Sequence, residues 1–397
     1  MNAIRKTRGI ILVLCVATVF AVLVQAQSTP PWSWGPILGA ISEDTAAITW
    51  KTSRSVGFDF SYALAQVYDA SGQWEETLTY SNHEGVAEIW LRDLLPGSSY
   101  RYQLVFYEGD AVYPTEVGTF HTMEAGGRSY AFALYGASNS NPDRHKLVAD
   151  QIASEEDVTF VIHTGQLTEF PSEERYANLF WAISDLARAN PFLPVIGGND
   201  GENSIYYDSF ALPKGGGQNG EQWWSFDYGV VHFVALDSTT ASASDASAFH
   251  EQTAWLRHDL TESQGKLVVV FCHDPLHSAS LDRSAGALLR DVWEPIFQDY
   301  GVDIVFSSAA HCYEHVYKTG IHYVVSGGGG APLTAEPADR TPGTVFARYG
   351  LLHYVRGTIA DTALRIEVIP VASVVDDKLY LSATGNSIDT FVLSLPD

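Results

Sequence analysis

The sequence predicts an α/β layered domain preceded by a small all-β domain, and three observations carry that expectation. Residues 35–123 read as short runs in which apolar and polar residues alternate between Gly, Pro, Asn and Asp turns, the period of half-buried strands. After Gly126-Gly127 the runs become continuously apolar and alternate with helical stretches, as happens where a sheet is covered on both faces. With 397 residues, 46% of them hydrophobic and 18% charged, the chain can bury a large core and divide into two or three domains.

Residues 1–26 are expected to be a secretory signal peptide. Arg5, Lys6 and Arg8 open it, an apolar run follows over 10–24, and Val24-Gln25-Ala26 offers a small-residue cleavage site. The run falls short of the roughly 20 residues that span a bilayer, so cleavage is preferred over an uncleaved anchor. Bulky Leu14 before Cys15 argues against lipoprotein processing. Cleavage leaves Cys272 and Cys312, too few for a disulfide scaffold. It also takes the net charge from −24 to −27. Such a surface repels phosphate backbones and anionic lipid heads, so nucleic acid and membranes are excluded as partners. What remains is an unknown extracellular ligand or protein, met by a secreted or periplasmic chain with no membrane span after signal removal.

In the first domain strands are expected at 47–50, 63–67, 87–91 and 100–106. Trp50 is in phase with Ile48 and therefore belongs to the core rather than to a ligand platform. The stretch Leu94-Leu95-Pro96-Gly97-Ser98-Ser99-Tyr100-Arg101-Tyr102 resembles the corner before a late strand of a fibronectin type III domain, in which one Tyr anchors the turn. In the second domain strands are expected at 131–135, 158–162, 230–236, 267–271, 302–306 and 323–325, with more at 351–355 and 363–369. Helices are expected at 143–154, 249–262 and 285–299. The clearest helix carries Tyr176, Leu179, Phe180, Ile183 and Leu186 on one face. Functional groups should sit on loops at the strand ends.

Those strand ends carry, in order, Tyr135-Gly136, His163-Thr164-Gly165, Pro194-Val195-Ile196-Gly197, Val231-His232-Phe233-Val234-Ala235-Leu236-Asp237, the run from Gln252 to Trp255-Leu256, Val270 to His273-Asp274-Pro275, His311-Cys312-Tyr313-Glu314, and Gly327 to Gly330-Ala331-Pro332-Leu333. This order resembles the calcineurin-like metallophosphoesterases, and more closely the purple acid phosphatases, which carry a fibronectin-like domain in front. The resemblance implies a four-layer metallophosphoesterase β-sandwich flanked by helices over 128–397, behind a fibronectin type III-like domain over 35–123.

The family holds two metal ions on five loop motifs, and this sequence departs from most of them. Where the pattern has Gly-Asp the chain has Gly136-Ala137, and where it has Gly-Asp-x-x-Tyr the chain has Gly165-Gln166-Leu167-Thr168-Glu169. Gly-Asn-His followed by an acid becomes Gly197-Gly198-Asn199-Asp200. Val-x-x-His is intact as Val270 to His273, whereas Gly-His-x-His reads Ser308-Ala309-Ala310-His311. The resemblance thus implies that only His273 and His311 survive as metal ligands, one for each ion. Loss of the bridging carboxylate at Gln166 weighs most, because two dications a few ångströms apart need a shared anion.

The expectation is a secreted pseudoenzyme with no catalytic residue. Its remnant cleft comprises Ala137, Gln166, Gly198, Asn199, Asp200 and Ala309, with His273 and His311 as remnant metal ligands. No cofactor is expected, and if any binds it is a single zinc, iron or manganese ion. The alternative is a phosphomonoester hydrolase with a rearranged single-metal site built on His273, His311 and one of Asp200, Gln166 or His277. Cys272 and Cys312 flank the two imidazoles, and a disulfide between them depends on distance. His163 reads as structural. Gly327 to Gly330 lacks the Gly-Lys-Ser/Thr ending of a phosphate loop and reads as turn geometry. Gly215-Gly216-Gly217 is punctuation, Trp223-Trp224 is core, and Ser238 and Ser278 lack a Gly-x-Ser-x-Gly elbow. Asn139, Arg144, His145, Asn203, His277 and His315 either line a new pocket or are solvated loop residues.

Overall fold

A computed structural model describes residues 29–53, 60–68, 74–80, 85–108, 110–139, 141–198, 200–280, 286–360, 362–382 and 386–396. The expected signal peptide and Asn199 lie outside the described residues.

The alternating runs of the first domain form two sheets. Trp32–Ile41, Ala46–Thr52 and Val86–Leu91 make one. The other runs Trp74–Tyr80, Phe60–Tyr68, Ser99–Glu108, Ala111–Pro114, with Gly118–His121 also on Ser99–Glu108. Trp32 stacks on Phe106 at 5.0 Å and Trp50, buried in the core, meets the same ring edge-on at 6.5 Å. Aromatic pairs of this kind add about 0.5–1.5 kcal/mol to their area burial. The Tyr100 hydroxyl accepts the Leu95 N–H at 2.8 Å and so anchors the turn that the sequence places there.

The continuous apolar runs of the second domain form two larger sheets. The seven-stranded sheet runs Phe192–Pro194, Val158–His163, Ser129–Tyr135, Leu351–Ala360, Ala363–Val375, Lys378–Leu381, with Asp389–Ser394 also pairing with Ala363–Val375. The eight-stranded sheet runs Gly215–Gly216, Trp223–Tyr228, Val231–Leu236, Leu267–Cys272, Ile304–Ser307, Ile321–Ser326, Tyr313–Lys318, Thr344–Arg348. The inner strands Val231–Leu236, Leu267–Cys272, Ile304–Ser307 and Ile321–Ser326 are parallel neighbours, which explains their unbroken apolar sequences. Phe132 and Phe160 of one sheet pack edge-on against Phe233 of the other at 5.4 and 5.3 Å.

Helices cover the outer faces. Pro142–Ala153 (α1) starts at Asn141, whose side chain caps the Arg144 N–H, with Pro142 at the first helical position. Glu173–Ala189 (α2) starts at Ser172 and buries Tyr176, Leu179, Phe180, Ile183 and Leu186, the face its periodicity marks. Ser204–Ser209 (α3) is a short helix that the sequence reading missed. Ser247–Glu262 (α4) and Ala287–Tyr300 (α5) pack Phe249, Leu256, Trp293 and Phe297 on Val234, Leu236, Val268 and Val270 of the eight-stranded sheet. The layers are helix, sheet, sheet, helix.

The β-domain is fused to this frame. Trp34 stacks on Phe180 of α2 at 4.1 Å, the Tyr102 hydroxyl donates to the Arg188 carbonyl at 2.9 Å, and the Ala40 N–H donates to the Ala211 carbonyl at 2.7 Å. Gly39 permits that last approach, since a Cβ there would lie 2.4 Å from the Ala211 oxygen. No helix among the described residues is long and apolar enough to cross a membrane.

Candidate functional site

The loops following Tyr135, His163, Pro194, Cys272, Ser307 and Ser326 converge at one end of the paired sheets. Hydrogen bonds tie them together: Ala137 N–H to the Gly165 carbonyl at 3.1 Å, Ser308 and Ala309 N–H to the His273 carbonyl at 3.0 Å each, and Gly329 N–H to the Gly136 carbonyl at 2.9 Å. Close approach demands glycine at two of the motif positions. A Cβ on Gly136 would meet Thr164 Oγ1 at 2.3 Å, and one on Gly197 would meet the His273 ring at 2.3 Å. Gly327 to Gly330 are equally confined, Gly327 against the Ala310 carbonyl and Gly328 against His353, so that run is turn geometry.

The residues that follow these glycines carry the telling backbone. Ala137 and Gln166 have φ of 56° and 58°, the left-handed region that Asn, Asp and Gly tolerate and other side chains adopt at a cost of roughly 1–2 kcal/mol. Gly198 shares that region at 56°. Three motif positions thus share one backbone conformation, and no carboxylate or Asn amide occupies them.

His273 is buried, with Nδ1 at 3.2 Å from both the Thr164 carbonyl and Ser308 Oγ. Since a carbonyl only accepts, Nδ1 carries the ring proton, and Nε2 keeps its lone pair. Burial, assisted by the nearby His311, holds His273 below the ordinary histidine value. His311 places Nδ1 at 2.8 Å from the Pro332 carbonyl and Nε2 at 2.9 Å from Gln166 Oε1, an amide whose two ends can exchange by a half-turn. Burial lowers its pKa as well, so the ring is neutral at pH 7, donates from Nδ1 and accepts at Nε2. A neutral ring therefore requires the Gln166 NH2 to face it.

Asp200 corrects one expectation. Its fully buried carboxylate accepts the Leu167 N–H at 3.1 Å and the Gly197 N–H at 3.2 Å, stapling the second motif loop to the third. Burial pushes its pKa up to about 7 against the pull of those amides. His277 is likewise committed elsewhere: Nε2 pairs with Glu294 of α5 at 3.0 Å, and the ring meets Tyr323 edge-on. Neither supplies a third ligand beside His273 and His311; of the three candidates, Gln166 is the one in contact with His311. His315 is not a pocket residue either, being bound to Asp389 at 3.0 Å and to His322 at 2.9 Å between the sheets. Asn203 caps α3, and His145 is buried against the Tyr135 hydroxyl at 2.7 Å.

Cys272 and Cys312 are free, buried thiols rather than a disulfide. His163 is structural: Ser138 Oγ donates to the Leu167 carbonyl and therefore accepts from His163 Nε2, at 3.0 Å, leaving Nδ1 without a partner among the described residues. Among those residues no three His, Cys, Asp or Glu side chains are grouped to hold a metal ion. Two imidazoles and a carboxamide do not match a bridged pair of dications, which needs shared anionic oxygen. Sequence reading missed the bracing of His273 by the Thr164 carbonyl and of His311 by the Pro332 carbonyl, because backbone carbonyls leave no mark on residue type, and that by Ser308 Oγ because Ser308 lies 35 residues from His273.

Residues 138–313 match the family model for calcineurin-like phosphoesterases. An uncharacterized protein of Mycobacterium tuberculosis is 27% identical over 332 residues, covering 72% of this chain and 59% of its own length. The acid phosphatase of Aspergillus ficuum is 29% identical over 30% of this chain and 26% of its own. Purple acid phosphatase 23 of Arabidopsis thaliana is 29% identical over 38% and 35%. The chain therefore spans less than two thirds of these relatives. Among solved structures, GAP50, described as the anchor in the inner membrane complex of Plasmodium, superposes with a TM-score of 0.54 at 16% identity over 68% of this chain and 90% of that one, which speaks to fold alone. By motif order, fold and relatives together, the chain is similar to the purple acid phosphatases among the calcineurin-like phosphoesterases, with a β-domain in front.

Proposed function

We propose that this protein is an exported pseudoenzyme, a purple acid phosphatase fold that binds a ligand or partner instead of hydrolysing a phosphoester. The observation behind it is that Ala137, Gln166, Gly198 and Ala309 stand where the family pattern has ligand side chains, the first three on a shared left-handed backbone. Without cations, a chain of net charge −24 presents an unfavourable field to a phosphate ester. Residues 1–26 are its export signal, and the front domain is of the fibronectin type III kind, a common carrier of binding surfaces. Catalytic residues, cofactor and resident metal are all absent from the proposal, and the partner is an extracellular or periplasmic ligand or protein.

The test is hydrolysis of p-nitrophenyl phosphate by secreted, mature protein supplied with iron, zinc and manganese. No turnover above buffer is expected. Turnover that disappears in both His273→Ala and His311→Ala would establish instead a phosphoesterase with a rearranged site.

A further inference from the structure

A groove of about 640 Å³ lies beside the cleft, between the first turn of α1, the Pro332–Leu333 loop and the turn after Val375. It shares a wall with the cleft, because the Pro332 carbonyl that holds His311 Nδ1 belongs to the groove-lining loop. Leu333, Val374 and the ring of Tyr349 give it an apolar wall, beside the polar Asn141 and Thr334 and the carboxylate of Glu336, which Arg340 neutralises. Among the described residues that line it, the one cation is Arg144. That side chain is only 12% exposed, and its carboxylate partner among the described residues, Asp377, is 98% exposed at 3.4 Å. A carboxylate so fully in water contributes little to a pair. The neighbouring Arg340 is different: it is paired with Glu336 and lies over the Tyr349 ring at 5.2 Å.

We propose that this groove binds a small organic anion, a carboxylate or phosphate head on a body about the size of one ring. Arg144 takes the head in a planar, two-pronged contact, displacing Asp377, and Tyr349, Leu333 and Val374 enclose the body. The anion is bound and not transformed, so the inference stands whether or not the cleft turns over substrate.

The experiment is calorimetric titration of the full mature chain with benzoate and with phenylphosphonate, which no phosphatase cleaves, with benzyl alcohol as the uncharged control. Binding of at least one anion is expected, weakened roughly tenfold or more by Arg144→Gln and tightened by Asp377→Asn. The alcohol should not bind. Asp377 is exposed, so its variant reports on the groove without a folding penalty. Preference between the two anions identifies the head group. His273→Ala, whose ring bonds Thr164 and Ser308 rather than the groove-lining loop, should leave the affinity in place. The proposal is overturned by no binding of either anion at millimolar concentration, by affinities indifferent to both Arg144→Gln and Asp377→Asn, or by loss of binding in His273→Ala, which would put the anion in the cleft.

Discussion

Nε2 of His311 and the side-chain amide of Gln166 stand 2.9 Å apart across the cleft, joined by a hydrogen bond between residues 145 positions apart in the chain. At these two positions the family pattern has a metal-ligating His and the carboxylate that bridges the metals. A neutral amide in contact with a neutral ring carries no charge to hold a cation. Gln166→Asp should therefore raise the pKa of His311 from its lowered value, because an adjacent carboxylate favours the imidazolium. Histidine NMR titration of wild type and variant checks this, and coincident curves would show that the contact does not form in solution.

Asp200 should matter for stability and not for ligand binding. Asp200→Asn puts an NH2 where the Leu167 and Gly197 amides need an acceptor, at an expected cost of about 1–3 kcal/mol. Urea denaturation should show a lower midpoint with an unchanged slope. Wild-type stability in the variant would remove the staple from the account.

The two thiols give a simple chemical check. Burial raises the pKa of Cys272 well above a free thiol and pushes that of Cys312 up to about 12, so neither offers thiolate at neutral pH. Ellman's reagent should label neither in the native mature chain and both after guanidinium denaturation. Silence in the denatured protein would mean a disulfide.

The pH dependence of stability has an identifiable contributor in His232. Burial works to lower its pKa, but hydrogen bonds from its two nitrogens to Asp227 at 2.8 Å and Asp259 at 2.9 Å more than offset this and raise it above 6.5. A raised folded value means stabilisation that is complete below the unfolded value and lost as pH rises through the folded one. His145 and His353, lowered by burial to about 3 and about 4, act the other way and draw stability down as pH falls below 6.5. The difference in unfolding free energy between wild type and His232→Gln should thus be largest below pH 6.5 and shrink as the pH rises above it. A difference constant across that range refutes the assignment.

The layered fold was legible because its signals are local. Periodicity marked the buried face of α2, and continuous apolar runs marked the parallel strands of the eight-stranded sheet. Positions in the cleft were legible through the glycines that the loops cannot do without, Gly136 and Gly197. The roles of the remaining polar residues were not. Asp200 sits beside a motif and invites a ligand reading, yet its partner Leu167 is 33 residues away, and His315 answers to Asp389 at a distance of 74. Such contacts are set by tertiary packing, which residue type and spacing do not encode. Arg144 was open to either reading until the groove around it was seen.

The most direct measurement is metal content, by elemental mass spectrometry, of mature protein dialysed against iron, zinc and manganese. A companion variant carrying Ala137→Asp, Gln166→Asp, Gly198→Asn and Ala309→His restores donors to the cleft for comparison. The account expects wild type to retain well below one ion per chain and the restored variant to retain more. A stoichiometric ion in wild type that is lost in His273→Ala and His311→Ala would contradict it.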